Sequence, residues 1–121
     1  MAYRSDVGLA LTKTGVEELN KKLETLNGDR RNAASHLLQG AGIHYTDSQS
    51  GTELWYWEWL KWYSEYLDVS VFEELMDEVG YEDFRFIRIG EDEDDTECRG
   101  GFWKNPFEMD LQRYIFMVNP E

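Results

Sequence analysis

The most informative segment of this chain is Leu54–Tyr63, which reads Leu-Trp-Tyr-Trp-Glu-Trp-Leu-Lys-Trp-Tyr. Side chains alternate between the two faces of a β-strand, so one face of a strand here would carry Trp55, Trp57 and Trp59. The other face would carry Leu54, Tyr56, Leu60 and Trp62. Both faces are largely aromatic, which is typical of a central strand covered on both sides. A helix starting at Trp59 and running to Tyr66 fits as well, and periodicity alone does not separate the two.

The other predicted strands are placed around this segment. Residues 47–51 are rich in turn formers, so Ile43–Thr46 and Thr52–Tyr63 are predicted to form a β-hairpin. Alternating or compact apolar patterns predict three further strands, at Asp6–Thr12, Phe84–Ile89 and Leu111–Val118.

Apolar residues at helical spacing predict three helices. Thr14 and Glu17 match a capping box, and the helix that follows them is expected to end at Asn27-Gly28. A shorter helix is predicted over Asp29–Gln39. Ser70 and Glu73 form a second capping box, before a helix that is expected to stop at Gly80.

This order of elements predicts the fold class. With 121 residues the chain has the length of one domain, residues 1–121, and 41% hydrophobic residues suffice for a core. Strands joined by short turns favour antiparallel pairing. We expect a single α+β domain with a mainly antiparallel sheet of about four to five strands and about three helices packed mostly on one face.

Several features bear on cellular location. The single cysteine, Cys98, excludes an intramolecular disulfide and favours a reducing compartment. The first eleven residues lack the apolar run of a signal peptide, and no 18 consecutive residues are apolar. A cytoplasmic monomer or small homo-oligomer is expected, without membrane contact.

The charge of the chain is concentrated in its middle. Residues 1–44 hold six basic and five acidic residues, residues 45–97 hold three and seventeen, and residues 98–121 hold three of each. The whole chain carries −13, and residues 45–97 alone carry −14. Such a balance opposes direct binding of nucleic acid and favours a basic protein partner.

Two acidic groups stand out within that segment. The first is a run, predicted to be a loop, that comprises Glu91, Asp92, Glu93, Asp94, Asp95 and Glu97. The second is a stripe on the third predicted helix that comprises Glu73, Glu74, Asp77 and Glu78. Duplex DNA presents one charge per roughly 1.7 Å of axis, so stripe and loop together would imitate part of a phosphate path.

Three interpretations of the acidic run stay open: a solvated loop that aids solubility, a divalent-cation site, and recognition of a basic protein surface. An EF-hand loop is excluded, because counting from Asp92 places Glu97 and Trp103 where that motif needs glycine and glutamate.

The chain carries no recognisable catalytic or cofactor motif, so no enzyme activity, cofactor or metal site is expected. His36 and His44 are too few to make a ligand set, and the acidic run beside Cys98 discourages a thiolate. Most tryptophans are expected in the core. Trp103, in a glycine-rich loop, is predicted to be the one least needed there and is a candidate partner contact.

The segments Phe86–Trp103, Tyr3–Val7 and Leu54–Tyr63 resemble small uncharacterised acidic proteins encoded by bacteriophages and prophages. Short acidic phage proteins include inhibitors of host defence, among them anti-CRISPR proteins and DNA mimics. The resemblance implies this class of function and supplies no catalytic residues.

Together these observations predict an acidic inhibitor that binds the basic surface of a host nucleic-acid-binding protein, such as a CRISPR complex, by imitating DNA charge. The expected partner contacts are the acidic stripe, the acidic run and Trp103. The alternative is a host-interaction or structural accessory protein that binds through an aromatic surface, with acidity serving solubility.

Overall fold

The computed structural model describes residues 2–111 and residue 117, and these contain three α-helices and five β-strands. In chain order they are β1 (Ser5–Leu11), α1 (Lys13–Thr25), α2 (Gly28–Gln39), β2 (Ile43–Asp47), β3 (Thr52–Leu60), α3 (Leu67–Glu78), β4 (Phe84–Gly90) and β5 (Thr96–Arg99). The strands form one antiparallel sheet in the order β2-β3-β1-β4-β5. The predicted α+β class, the antiparallel sheet and the β2–β3 hairpin are confirmed.

The three helices pack on one face of this sheet, as the sequence predicted. Val7, Leu9 and Leu11 of the central strand point toward them and are at most 1% exposed. On the helical side, Phe72 and Leu75 of α3 are as deeply buried, and Leu19 and Leu37 bring α1 and α2 into the same core. Burial of this face accounts for the alternating pattern of β1.

Both predicted capping boxes are wrong. The N-cap of α1 is Thr12, whose hydroxyl accepts from the Gly15 amide and donates to an Asp83 carboxylate oxygen at 2.8 Å. Tertiary pairing with Asp83 selects this threonine over Thr14. Similarly, α3 begins at Leu67, before Ser70, whose hydroxyl donates to the Leu67 carbonyl inside the first turn.

The boundary between α1 and α2 also differs from the prediction. The Asn27-Gly28 pair, expected to end α1, instead begins α2, because the Asn27 side chain accepts from the Arg30 amide and caps that helix. The first helix already ends at Thr25.

The predicted loop over Glu91–Glu97 is too long, because Thr96 begins β5, which pairs with β4. Gly100 ends this strand with a φ of +85°. A methyl group at Gly100 would overlap the Phe84 carbonyl, and one at Gly101 would overlap the Tyr81 ring. These glycines therefore allow a close approach to Phe84 and Tyr81 that a side chain would prevent.

The strand predicted over Leu111–Val118 lies outside the described residues, apart from positions 111 and 117. Among the helices of residues 2–111, none combines the length and the apolar character needed to cross a membrane.

Candidate partner-binding site

A bulge near the end of β3 changes the predicted faces of the aromatic strand. Val7 pairs with Trp57, but Ser5 pairs with Leu60, so β3 has one residue more than β1 over this interval. Trp59 adopts a φ of 57°, which is rare for a residue with a side chain. The extra residue reverses the alternation beyond this point, because strand side chains alternate with a period of two.

The reversal corrects the sequence-based assignment of the aromatic residues. Trp55 and Trp57 share one face as predicted; this face meets the helices, and the two residues are 4% and 3% exposed. Leu60 and Trp62, predicted on the opposite face, pack against the same core. Trp59, predicted to point inward, is 59% exposed. No helix starts there, since α3 begins only at Leu67.

The acidic stripe of α3 is largely compensated by cations from distant parts of the chain. Glu73 and Asp77 lie 2.5 and 3.3 Å from the Arg99 guanidinium. The other two carboxylates meet basic groups of α1 and α2. Glu74 lies 2.7 Å from Arg30 and 3.3 Å from Lys22. Glu78 lies 2.6 Å from the same lysine. Hydrogen bonds from Arg30, then from Lys22, hold the pKa of Glu74 below its ordinary value. The stripe is therefore a poor source of uncompensated charge.

Two members of the acidic run share one cation of the fold. The Arg88 guanidinium lies 2.8 Å from Asp95 and 3.0 Å from Glu97. Hydrogen bonding to Asp95 and then to Glu97 raises the pKa of Arg88, against the opposing effect of its burial. Gly90 makes room for this cluster, because a methyl group there would overlap the Asp95 carboxylate and the Tyr3 hydroxyl.

The four remaining acidic residues form the turn between β4 and β5, which we call the acidic turn (Glu91–Asp94). All four are exposed, and no cationic side chain of residues 2–111 lies within 4.0 Å of their carboxylates. The turn is fixed from outside. The Tyr3 hydroxyl accepts from the Asp92 amide at 3.0 Å and donates to Asp95 at 2.5 Å, and the Arg4 amide donates to Glu91 at 2.6 Å.

The residues at the start of β1 also hold the Trp59 bulge. The Asp6 carboxylate accepts from the Trp59 amide at 3.0 Å, and the Arg4 guanidinium donates to the Trp59 carbonyl at 3.2 Å. Arg4 therefore contacts both the bulge and the acidic turn. We call the acidic turn and Trp59 together the turn–bulge surface, which joins uncompensated charge to an exposed aromatic ring.

Trp103 lies away from this surface. Its ring stacks on the Arg85 guanidinium, 4.0 Å from ring centroid to Cζ, near the start of β4, whereas the acidic turn follows the end of that strand. Trp103 is 57% exposed, beside a cleft of about 400 Å³ that Tyr81 also lines. The eleven predicted contacts therefore occupy four places: α3, the pair Asp95 and Glu97 at Arg88, the acidic turn, and the Trp103 cleft.

The described residues contain no group of three or more His, Cys, Asp or Glu side chains arranged to hold a metal ion. His44 contacts Glu53 at 2.8 Å and stacks on Trp55, with ring centroids 4.9 Å apart. Cys98 is exposed on β5.

Asp95 gives the acidic turn a pH-dependent anchor. Hydrogen bonds from Arg88 and then from Tyr3 lower the pKa of Asp95 below its ordinary value of 3.8. Because the folded-state pKa is the lower one, this stabilisation is complete above about pH 4 to 5 and is lost as the pH falls through the folded-state pKa. We expect Asp95→Asn to be less stable than the parent at pH 7, with the difference shrinking below pH 3.8. Urea unfolding at pH 7 and at low pH measures it, and an equal difference at both would contradict this assignment.

Comparison with protein-family models, with curated proteins and with solved structures finds no match to this chain. The candidate site is therefore assigned from its geometry alone. Sequence reasoning found the acidic turn but missed Trp59 and the anchors Tyr3 and Arg4. The pattern around Trp59, where strand and helix fitted equally well, was the one indication of an irregularity at this position.

Proposed function

We propose that the protein is an inhibitor that binds the basic surface of a nucleic-acid-binding protein, of the kind found among host defence effectors, through the turn–bulge surface. The observation that carries this proposal is the acidic turn: four consecutive exposed carboxylates with no cationic side chain of residues 2–111 within 4.0 Å, held in place by hydrogen bonds with Tyr3 and Arg4.

The acidic turn is preorganised for binding. A mobile acidic loop loses conformational entropy when it binds, whereas the acidic turn is already ordered by contacts outside itself. Like charges held close together in a fixed turn repel one another, and an opposing cationic surface relieves that repulsion. A basic surface that normally binds phosphates offers such a field.

The exposed Trp59 ring supplies an aromatic anchor beside the acidic turn. Tryptophan is enriched at binding hot spots, where an aromatic anchor in a desolvated pocket contributes more than charges at the rim. Backbone strain persists where the surrounding structure enforces it, and here Asp6 and Arg4 hold the strained residue. A charged rim beside an aromatic anchor is typical of protein interfaces.

The proposal corrects the sequence-based choice of contacts in one respect. Glu73, Glu74, Asp77 and Glu78 are compensated by Lys22, Arg30 and Arg99, and Asp95 and Glu97 by Arg88. We therefore assign the electrostatic contact to Glu91–Asp94. The rest of the acidic residues contribute to net charge and to folding.

The test is capture of a partner from a bacterial lysate, followed by competition with duplex DNA. We expect the immobilised protein to retain a DNA-binding protein that added duplex DNA displaces. A turn-neutralised variant, Asp92→Asn with Glu93→Gln and Asp94→Asn, should retain at least about tenfold less. Asp95 is left intact because it anchors the turn to Arg88. A captured protein that DNA does not displace, or that the variant holds equally well, would exclude this function.

A second candidate function has its own observation. Trp103 and Tyr81 are 57% and 63% exposed beside the same cleft, which suits an accessory protein that binds through an aromatic surface. In that case Trp103→Ala would abolish retention in the same capture experiment, and the turn-neutralised variant would retain the partner normally.

A further inference from the structure

A slot of about 130 Å³ lies on the face of the sheet opposite the helices. Gly8 forms its floor, because this glycine pairs with Tyr56 on one neighbouring strand and with Ile87 on the other. Ile89 and Met109 supply apolar walls. The missing side chain at Gly8 leaves room for Met109, whose sulfur lies only 2.7 Å from where a methyl group would stand.

Carboxylates stand at the rim of this slot. Asp6 and Asp110 both line it, and the Oδ2 atom of each accepts no hydrogen bond from residues 2–111. Asp110 is held ionised because the Leu111 amide and then Arg85 lower its pKa, and it remains 64% exposed. Two acceptor oxygens are therefore free beside an apolar floor.

The Tyr56 side chain also lines the slot. Burial raises the pKa of its hydroxyl, and the nearby carboxylates of Asp6 and Glu58 raise it further. The Arg85 guanidinium opposes this field only in part, since it pairs with one oxygen of Asp110 and stacks on Trp103. The slot favours a cation over a neutral group or an anion.

The size and chemistry of the slot fit one kind of side chain. A slot of about 130 Å³ has room for a small planar group such as a guanidinium. The planar guanidinium carries donors in several directions and is less strongly hydrated than an ammonium, and the methylene stem behind it suits apolar walls. Arginine, with its several donors, matches two acceptor carboxylates better than lysine does.

The slot also adjoins the turn–bulge surface. Asp6 accepts from the Trp59 amide, and Ile89 directly precedes Gly90 and the acidic turn. A protein bound to that surface therefore has this slot within reach of its side chains.

We propose that this slot receives the guanidinium end of an arginine side chain from the bound protein. The inference rests on the proposed function for the source of the arginine, and it deepens that function by naming the group recognised. Nucleic-acid-binding surfaces are rich in arginine, so the occupant and the partner class agree.

The test uses a small probe in place of the partner. N-acetyl-arginine amide is titrated into the ¹⁵N-labelled protein, with N-acetyl-citrulline amide as the neutral control of the same shape. We expect saturable shifts of the Asp6, Gly8 and Ile87 amides with the arginine probe, with a dissociation constant of about 1–10 mM. The citrulline probe should give no saturable change.

Two variants localise the effect. Asp6→Asn keeps an acceptor for the Trp59 amide and removes one charge, so it should weaken the probe about fivefold or more. Gly8→Ala fills the floor, since the added methyl group would lie 2.7 Å from the Met109 sulfur and push it into the slot. Asp92→Asn makes the same charge change in the acidic turn and should alter probe affinity less than about twofold.

Several outcomes would overturn the inference: equal binding of both probes, shifts confined to the acidic turn, or magnetisation transfer showing residues 112–121 inside the slot of the free protein. None of them requires the captured partner. The arginine probe can therefore fail to bind the slot while the turn-dependent capture succeeds, and the probe can bind while the capture fails. The two experiments thus test the slot and the proposed function separately.

Discussion

Replacing Trp57 with alanine is expected to lower the free energy of unfolding by about 3–5 kcal/mol, the usual cost of removing a large buried aromatic side chain. Trp57 is 3% exposed, and its indole nitrogen donates to the Leu37 carbonyl at 2.8 Å. Its ring packs against Trp62 and Phe72, with centroids 6.2 and 6.4 Å away. Alanine would leave a cavity and remove one hydrogen bond to the Leu37 carbonyl, which keeps the Gly40 amide at 3.2 Å as its other donor.

Urea unfolding followed by circular dichroism measures this loss. Trp103→Ala is the matched control, because it removes the same side chain from a position that is 57% exposed. It should cost less than about 1.5 kcal/mol, mainly the stacking on Arg85. Similar losses in the two variants would contradict the division of tryptophans into core and surface.

Trp59→Gly is expected to separate binding from stability. Glycine removes about 1 kcal/mol of left-handed backbone strain from the folded state. Its greater conformational freedom in the unfolded chain lowers the free energy of unfolding by a similar amount. Because the ring is 59% exposed, the free energy of unfolding should stay within about 1 kcal/mol of the parent. Affinity for the captured protein should fall at least about 30-fold, the effect of losing a hot-spot tryptophan.

Calorimetry of binding and urea unfolding of the same preparation give the two quantities. Trp59→Ala is a useful companion, since it removes the ring but keeps the strained backbone, and it should lose affinity equally. A glycine variant that binds like the parent would remove Trp59 from the interface.

The local elements of the fold were predictable, whereas their arrangement was not. The β2–β3 hairpin followed from a cluster of turn formers, and β4 from its compact apolar run. The position of β1 between β3 and β4 depends on pairings with residues about 50 and 80 positions away, which no local pattern contains. β5 was missed because it has only four residues, mostly polar, beside the acidic run.

The candidate site shows a similar division. Sequence identified the acidic residues but assigned all of them to one contact surface, because charge along a chain does not reveal which cations fold against it. Arg99 meets Glu73 across 26 positions, and Lys22 meets Glu78 across 56. Tyr3 anchors the acidic turn from 89 positions away. The uncompensated charge is therefore a property of the fold.

The most direct test of the proposed function is the salt dependence of the association rate with the captured protein. Two variants remove three charges each: the turn-neutralised variant, and a helix variant with Glu73→Gln, Glu74→Gln and Glu78→Gln. We predict that the turn-neutralised variant associates at least about tenfold more slowly at low salt, with a flattened salt dependence. The helix variant should keep the parental rate within about threefold. Equal slowing of both variants would mean that net charge alone drives association, and would contradict the assignment of the acidic turn as the contact surface.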